Sequence, residues 1–413
     1  MTKSRQSRIV LLAGIACVLF GAGLMAVGWS RFASAPAAPA VAVALTATGS
    51  PTSQPIHTPE PIHTPEPLIP TRTSEPGSAT GATSTPTPLP PSSEPAETAT
   101  VAPPGEGAFV APESERFRLG ISLPDGASTA YDLAALGVGW VMDWQVRSAP
   151  ALPPGVDYVQ TVRMKGGVLT PDAATLTAGA SANPGATWLI SNEADVRWQD
   201  NVEPAPYAQL YHEAYTAIKA GDPSAVVAAG GIAQTSPLRL RYLDLALAAY
   251  QAEYGAPLPA QAWHIHNYML REERDSWGVD IPPGMPDDTG VLYGIDDSGN
   301  LAAFRAQLVD FRRWMAARGY GGQPLIISEF GIPMPEDYGF PPERVAVFLR
   351  ETWRFFLTAT DPALGDPDDG GRLVQRWCWF SMSYPDYPTG NLIDPKTGQW
   401  TPLAQVWMSY LGE

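Results

Sequence analysis

Two carboxylates frame the chemistry open to this chain. Glu193 lies in Trp188–Asp195, reading WLISNEAD, and Glu329 lies in Pro324–Gly331, reading PLIISEFG. Each follows a short apolar run with the look of a buried parallel strand, so Asn192, Glu193 and Glu329 emerge where a strand meets its loop. Two carboxylates facing one cleft suit glycosidic bond cleavage. At ~5 to 5.5 Å apart they serve double displacement, and at ~6.5 to 9.5 Å they admit a water for inversion. The acid needs a pKa raised by burial or a neighbouring carboxylate, whereas a nucleophile must stay ionised with hydrogen-bond support.

The elements that must position these groups read as eight strands: Phe117–Ser122, Gly139–Gln145, Tyr158–Met164, Thr187–Asn192, Ala225–Gly230, Ala262–Tyr268, Pro324–Glu329 and Val374–Ser381. Helical patterns run over Pro206–Ala220, Pro237–Tyr254, Leu301–Arg318 and Pro342–Thr358, the last with Val345, Phe348, Leu349, Thr352, Phe355 and Phe356 on one face. The stretches after strands two and three, Ser148–Val156 and Thr170–Ala182, are short or broken by Pro and Gly. Alternating strands and helices over this length predict an α/β fold, a (β/α)8 TIM barrel, in which residues ending different strands converge on one mouth. An open doubly wound sheet would lack a glycine-rich phosphate loop here.

Composition divides the rest of the 413 residues. Lys3, Arg5 and Arg8 precede an apolar run, Ile9–Trp29, of roughly the ~20 residues a membrane helix needs. Residues 1–32 therefore read as a cytoplasmic tip and single-pass anchor that leaves the remainder outside the cell membrane. Ala33-Ser34-Ala35 admits the alternative of a cleaved signal peptide and a secreted protein. Residues 33–114 are rich in Pro, Thr and Ser, repeat PIHTPE at Pro55–Glu60 and Pro61–Glu66, and read as a disordered linker with His57 and His63 as solvated repeat residues. Residues 115–413 would form the barrel. A net charge of -16 argues against nucleic acid as partner. Cys17 and Cys378 fall in the anchor and a strand, so no disulfide between them is expected.

SNEAD after strand four, ISEFG at strand seven, HIHNY at His264–Tyr268 and Trp379 on strand eight together resemble the clan A glycoside hydrolases, retaining enzymes on this barrel, over roughly Arg116–Tyr410. The resemblance implies that Glu193 is the general acid/base and Glu329 the nucleophile. It also implies that Asn192 binds a sugar 2-hydroxyl, Tyr268 touches the nucleophile, His266 lines the same subsite and Trp379 floors it. Ala194 and Asp195 stand where the commonest family pattern, Asn-Glu-Pro, has its proline; Asp195 is similar to the Asn-Glu-Pro-Asp of Asl1-like glucanases. Trp144 and Trp198, with Trp277, are candidate outer platforms, although loop tryptophans are often packing residues. Asp143, Arg163 and Lys165 end strands two and three and suit either sugar hydroxyls or ion pairs.

His264 and His266 share one strand face, as a metal pair would, but the other histidines are His57, His63 and His212, so neither a metal nor a cofactor is expected. The acidic loop 271–300 reads as a lid without a calcium-loop signature. The functional expectation is an extracellular glycosidase with a carbohydrate substrate, expected to be a monomer. The alternative is a non-catalytic carbohydrate-binding or cell-wall scaffold, and transglycosylation would use the same residues as hydrolysis. No loop fixes the sugar, the linkage or exo against endo action.

Overall fold

The computed structural model describes residues 113–411 apart from residue 125. The expected anchor, the linker up to residue 112 and Cys17 lie outside the described residues. Among the described residues no helix is long and apolar enough to cross a membrane. A 3-10 turn over Glu113–Arg118 leads into parallel strands β1 Leu119–Ser122, β2 Trp140–Met142, β3 Asp157–Tyr158 with Gln160–Val162, β4 Thr187–Ile190, β5 Val226–Ile232, β6 Ala262–His266, β7 Leu325–Phe330 and β8 Arg376–Trp379. The Val159 N–H donates to the Val141 carbonyl at 2.9 Å, which keeps the two pieces of β3 one strand. The first piece pairs with β2 and the second with β4, while β8 pairs with β1, so the circuit closes as a barrel.

Helices α1 Ala173–Ala182, α2 Pro204–Gly221, α3 Pro237–Tyr254, α4 Leu301–Ala317, α5 Pro342–Thr358 and α6 Pro402–Ser409 follow β3 to β8 in turn. Ser148–Val156 forms turns rather than a helix, since Pro150, Pro153 and Pro154 remove donors and clash with a preceding turn. The stretch after β3 is helical after all, because the Asp172 side chain accepts from the Thr175 N–H and caps α1. Strand alternation sorts the core into two layers. Trp140, Met142, Val159, Leu189, Ala228, Ala262, Ile326 and Cys378 fill the barrel, whereas Ile121, Val141, Ile190, Ile265, Ile327, Trp377 and Trp379 pack outward against the helices. Each such large side chain removed from water contributes ~1.5–3 kcal/mol. Gly120 is dictated by this filling: a Cβ there would lie 2.3 Å from the Trp140 ring, which crosses the barrel.

Candidate active site

The loop after β4 is held in an unusual backbone shape. Ser191 and Glu193 have φ of 76° and 53°, a region that costs side-chain-bearing residues ~1–3 kcal/mol unless the surroundings enforce it. Enforcement comes from buried Asp200, whose Oδ2 accepts from the Asn192 and Met164 N–H groups at 2.9 Å each and from Ser191 Oγ at 3.2 Å. Arg163 donates to Asp200 Oδ1 at 2.7 Å, so this strand-three cation is structural rather than free for a sugar. The Ala194 N–H donates to the Gly231 carbonyl at 3.3 Å, a bond that the family's proline could not make.

One residue further on, fully buried Asp195 meets the guanidinium of Arg239. Arg239 also donates to Glu272 at 2.7 Å and to the carbonyls of Val279 and Asp280 at 3.0 and 2.8 Å. Glu272 accepts from Ser236 Oγ at 2.6 Å and the Val291 N–H at 2.8 Å. A buried charge is tolerated only when paired and hydrogen-bonded. This network therefore locks the Glu193 loop and the acidic 271–300 segment together. The acidic segment is held by arginines elsewhere too: Asp275 and Asp280 meet Arg197, Asp287 meets Arg241, Asp288 meets Arg274 and Asp296 meets Arg344.

Across the mouth, Glu329 extends from β7 and is 5% exposed, against 8% for Glu193. Three donors surround it: Trp144 Nε1 reaches Oε1 at 2.6 Å, the Tyr268 hydroxyl reaches Oε2 at 3.0 Å, and His266 Nε2 lies 3.3 Å from Oε1. His266 Nδ1 lies 2.9 Å from Glu193 Oε1, so one imidazole joins the two carboxylates. Burial would push the His266 pKa down, but the charges of Glu329 and Glu193 outweigh it and hold it above the usual histidine value. Burial also raises the Glu329 carboxyl above the ordinary range, reinforced by Glu193 and opposed by His266, Trp144 and Tyr268. Tyr268 is pushed well above the phenol value by burial beside Glu329, which keeps it a proton donor.

The expected residues thus divide. Glu193, Glu329, His266, Tyr268 and Trp144 come together, and Trp144, expected at the outer rim, sits against Glu329. The turn carrying Trp144 is fixed through Asp143, which accepts from Gly126 N–H at 3.1 Å, from Arg147 Nε at 2.7 Å and from Tyr158. Asn192 is 5% exposed beside Glu193, and its side-chain amide has no partner among the described residues. Trp198 stands apart, packed near Val196, Ala233 and Val279 with the Arg197 guanidinium over its ring at 4.0 Å.

Trp379 is a correction. It is fully buried, its ring lies 5.2 Å from that of Phe330, and its Nε1 donates to the Gly390 carbonyl at 2.7 Å. Because Cys378 points into the barrel, alternation sends Trp379 outward to the helices and cannot make it a floor for sugar. The next residue, Phe380, takes the opposite phase, with its ring 6.1 Å from that of Trp144. The inward phase of Cys378 was the signal available for finding it. His264 serves as a brace: Nε2 contacts the Ile190 carbonyl at 3.1 Å and Nδ1 the Ser328 hydroxyl at 3.0 Å. Burial pushes its pKa down to about 3 and keeps it neutral. With both nitrogens engaged, it has no lone pair for a metal.

No family model and no curated protein matches the sequence. Among solved structures, the chain is similar to a GH128 subgroup II endo-β-1,3-glucanase from Sorangium cellulosum, with 20% identity, TM-score 0.47, and 71% of this chain and 98% of that chain covered. It is also similar to a Pseudomonas viridiflava enzyme of the same description, at 19% identity and TM-score 0.48 with 71% and 97% covered. A subgroup I endo-β-1,3-glucanase variant from Amycolatopsis mediterranei, in complex with laminarihexaose, matches at 18% identity and TM-score 0.47 with 71% and 99% covered. At these identities and scores the likenesses add nothing to the closed strand circuit and the site geometry, which stand on their own.

Proposed function

We propose that this chain is a glycoside hydrolase that cleaves a poly- or oligosaccharide by double displacement. The observation that carries the reading is the pair of buried carboxylates from β4 and β7, joined across the barrel mouth by His266. In the first step Glu193 gives its proton to the glycosidic oxygen as the bond to the anomeric carbon breaks, and a Glu329 oxygen bonds to that carbon. In the second, water attacks the same carbon, its proton passes to Glu193, and the ester to Glu329 breaks. Tyr268 and Trp144 hold Glu329 in place through one hydrogen bond to each of its oxygens, and the unpartnered Asn192 amide suits the sugar 2-hydroxyl. Mechanisms of this kind need no metal or cofactor.

The reading includes extracellular display on the cell membrane through Ile9–Trp29, supported by the basic residues that precede that run. Proton NMR of the first-formed product from aryl glycosides and β-glucans is the test. Retained anomeric configuration supports the mechanism, and inverted product contradicts it. Polysaccharide binding without turnover would replace the enzyme by a carbohydrate-binding scaffold.

A further inference from the structure

At the same end of the barrel as Glu193 and Glu329, the loops leaving the C-terminal ends of β1 and β8 border an open cavity of about 570 Å³, within the size range of small-ligand sites. The residues lining it include Tyr131, Trp400, Asp132, Asp394 and Ser383. Both rings are half-buried against the core. Each carboxylate spends Oδ1 on turn N–H groups, Asp132 on Ala135 and Asp394 on Lys396 and Thr397, which leaves Oδ2 for a ligand. The frame is tied to the barrel: the Met382 N–H donates to the Ser122 carbonyl at 2.9 Å, and the Ile393 N–H to the Met382 carbonyl at 2.8 Å.

A line of rings connects this region with the candidate active site. Trp144, which donates to Glu329, lies 6.1 Å from Phe380; Phe380 lies 5.1 Å from Tyr384, and Tyr384 stacks on Tyr387 at 5.8 Å. Ser383 and Pro385, the residues on either side of Tyr384, line the cavity. Aromatic rings meet the C–H faces of sugars and carboxylates accept from their hydroxyls, while two uncompensated carboxylates repel anionic chains.

Resting on the hydrolase reading above, we infer that the cavity between the β1 and β8 loops is a distal subsite for a neutral hexose unit of the same glycan chain that is cut at Glu193 and Glu329. Binding energy gathered there is available only to substrates long enough to span both places, so chain length, not the cleaved bond alone, sets the rate.

The test uses the full chain, with Trp400→Ala and with Ala130→Trp, which fills the cavity from an exposed wall position and keeps the result readable if Trp400→Ala unfolds. The readout is the ratio of kcat/KM on a neutral β-glucan hexasaccharide to that on an aryl monoglycoside. Glu193→Gln, alone and combined with Ala130→Trp, is titrated with the same hexasaccharide by calorimetry. The inference expects the ratio to fall about tenfold in both cavity variants and the affinity of the double variant to fall by a similar factor. An active wild type whose ratio is unmoved by Ala130→Trp, with unchanged affinity, overturns the subsite and leaves the hydrolase reading intact. An inactive wild type whose Glu193→Gln form still binds, and loses binding on Ala130→Trp, overturns the hydrolase reading and keeps the cavity as a glycan site. Absence of both turnover and binding across β-1,3-, β-1,4- and mixed-linkage hexasaccharides overturns both.

Discussion

The two carboxylates at the barrel mouth are held by opposite strategies. Glu329 extends from a regular strand and is gripped at its oxygens by Trp144, Tyr268 and His266. Glu193 has a single ring partner, His266, and its precision comes from the backbone: φ of 53°, the Asp200 clamp on Asn192, and the buried Asp195–Arg239–Glu272 network behind it. A group that must be ionised when it attacks gains from several donors, which oppose the raising effect of burial although the Glu329 carboxyl still ends above the ordinary range. A group that must give up and regain a proton gains from a fixed position with fewer bonds to its oxygens.

That contrast is broken most severely at the carboxylates themselves. Glu193→Gln is expected to lower kcat by roughly 10²–10⁴-fold, the usual worth of a general acid, and Glu329→Gln by at least as much. Circular dichroism melts should show both variants folded. Equal retention of activity would remove the distinction. Next come the packing residues. Trp379→Ala should cost ~3–5 kcal/mol in denaturant unfolding because it empties a core position, whereas Phe380→Ala should raise KM at a smaller stability cost.

The backbone strategy is sharpened by Arg239→Met. It strands two buried carboxylates and should cost ~3–5 kcal/mol of stability, although the residue touches neither Glu193 nor Glu329. The donor strategy is sharpened by Tyr268→Phe, a loss of ~1.5–3 kcal/mol for a hydrogen bond to a charged group. The sign of its pH effect follows from Glu329. Activity needs the carboxylate ionised, so it is present above the pKa and lost as pH falls through it. Deleting a donor raises that pKa further, and the acid limb of kcat/KM should move to higher pH.

Much of this was legible before any coordinates. The apolar runs ending at Glu193 and Glu329 marked strands whose tips converge, and the bounds of α3 and α5 followed from Pro237 and Pro342 at one end and the loss of apolar spacing at the other. The floor role that the resemblance implies for Trp379 fails because no residue of that strand shows by type which face looks inward; the neighbouring Cys378, which fills the barrel, sets the phase. The pairing of Arg239 with Asp195 and Glu272 joins residues 44 and 33 positions apart, and no local pattern announces it. Trp144 looked like a rim residue because its φ of 57°, which turns it toward Glu329, depends on Asp143 and its contacts with Arg147 and Tyr158.

The most direct test of the account is chemical rescue. The full chain, Glu193→Ala and Glu329→Ala are assayed on an activated aryl glycoside with and without azide. The account predicts that both variants lose turnover and that azide rescue tells them apart by stereochemistry, a glycosyl azide of retained configuration from Glu193→Ala and one of inverted configuration from Glu329→Ala. Turnover that survives in Glu329→Ala without azide, or azide rescue in neither variant, would contradict the assignment of the two carboxylates.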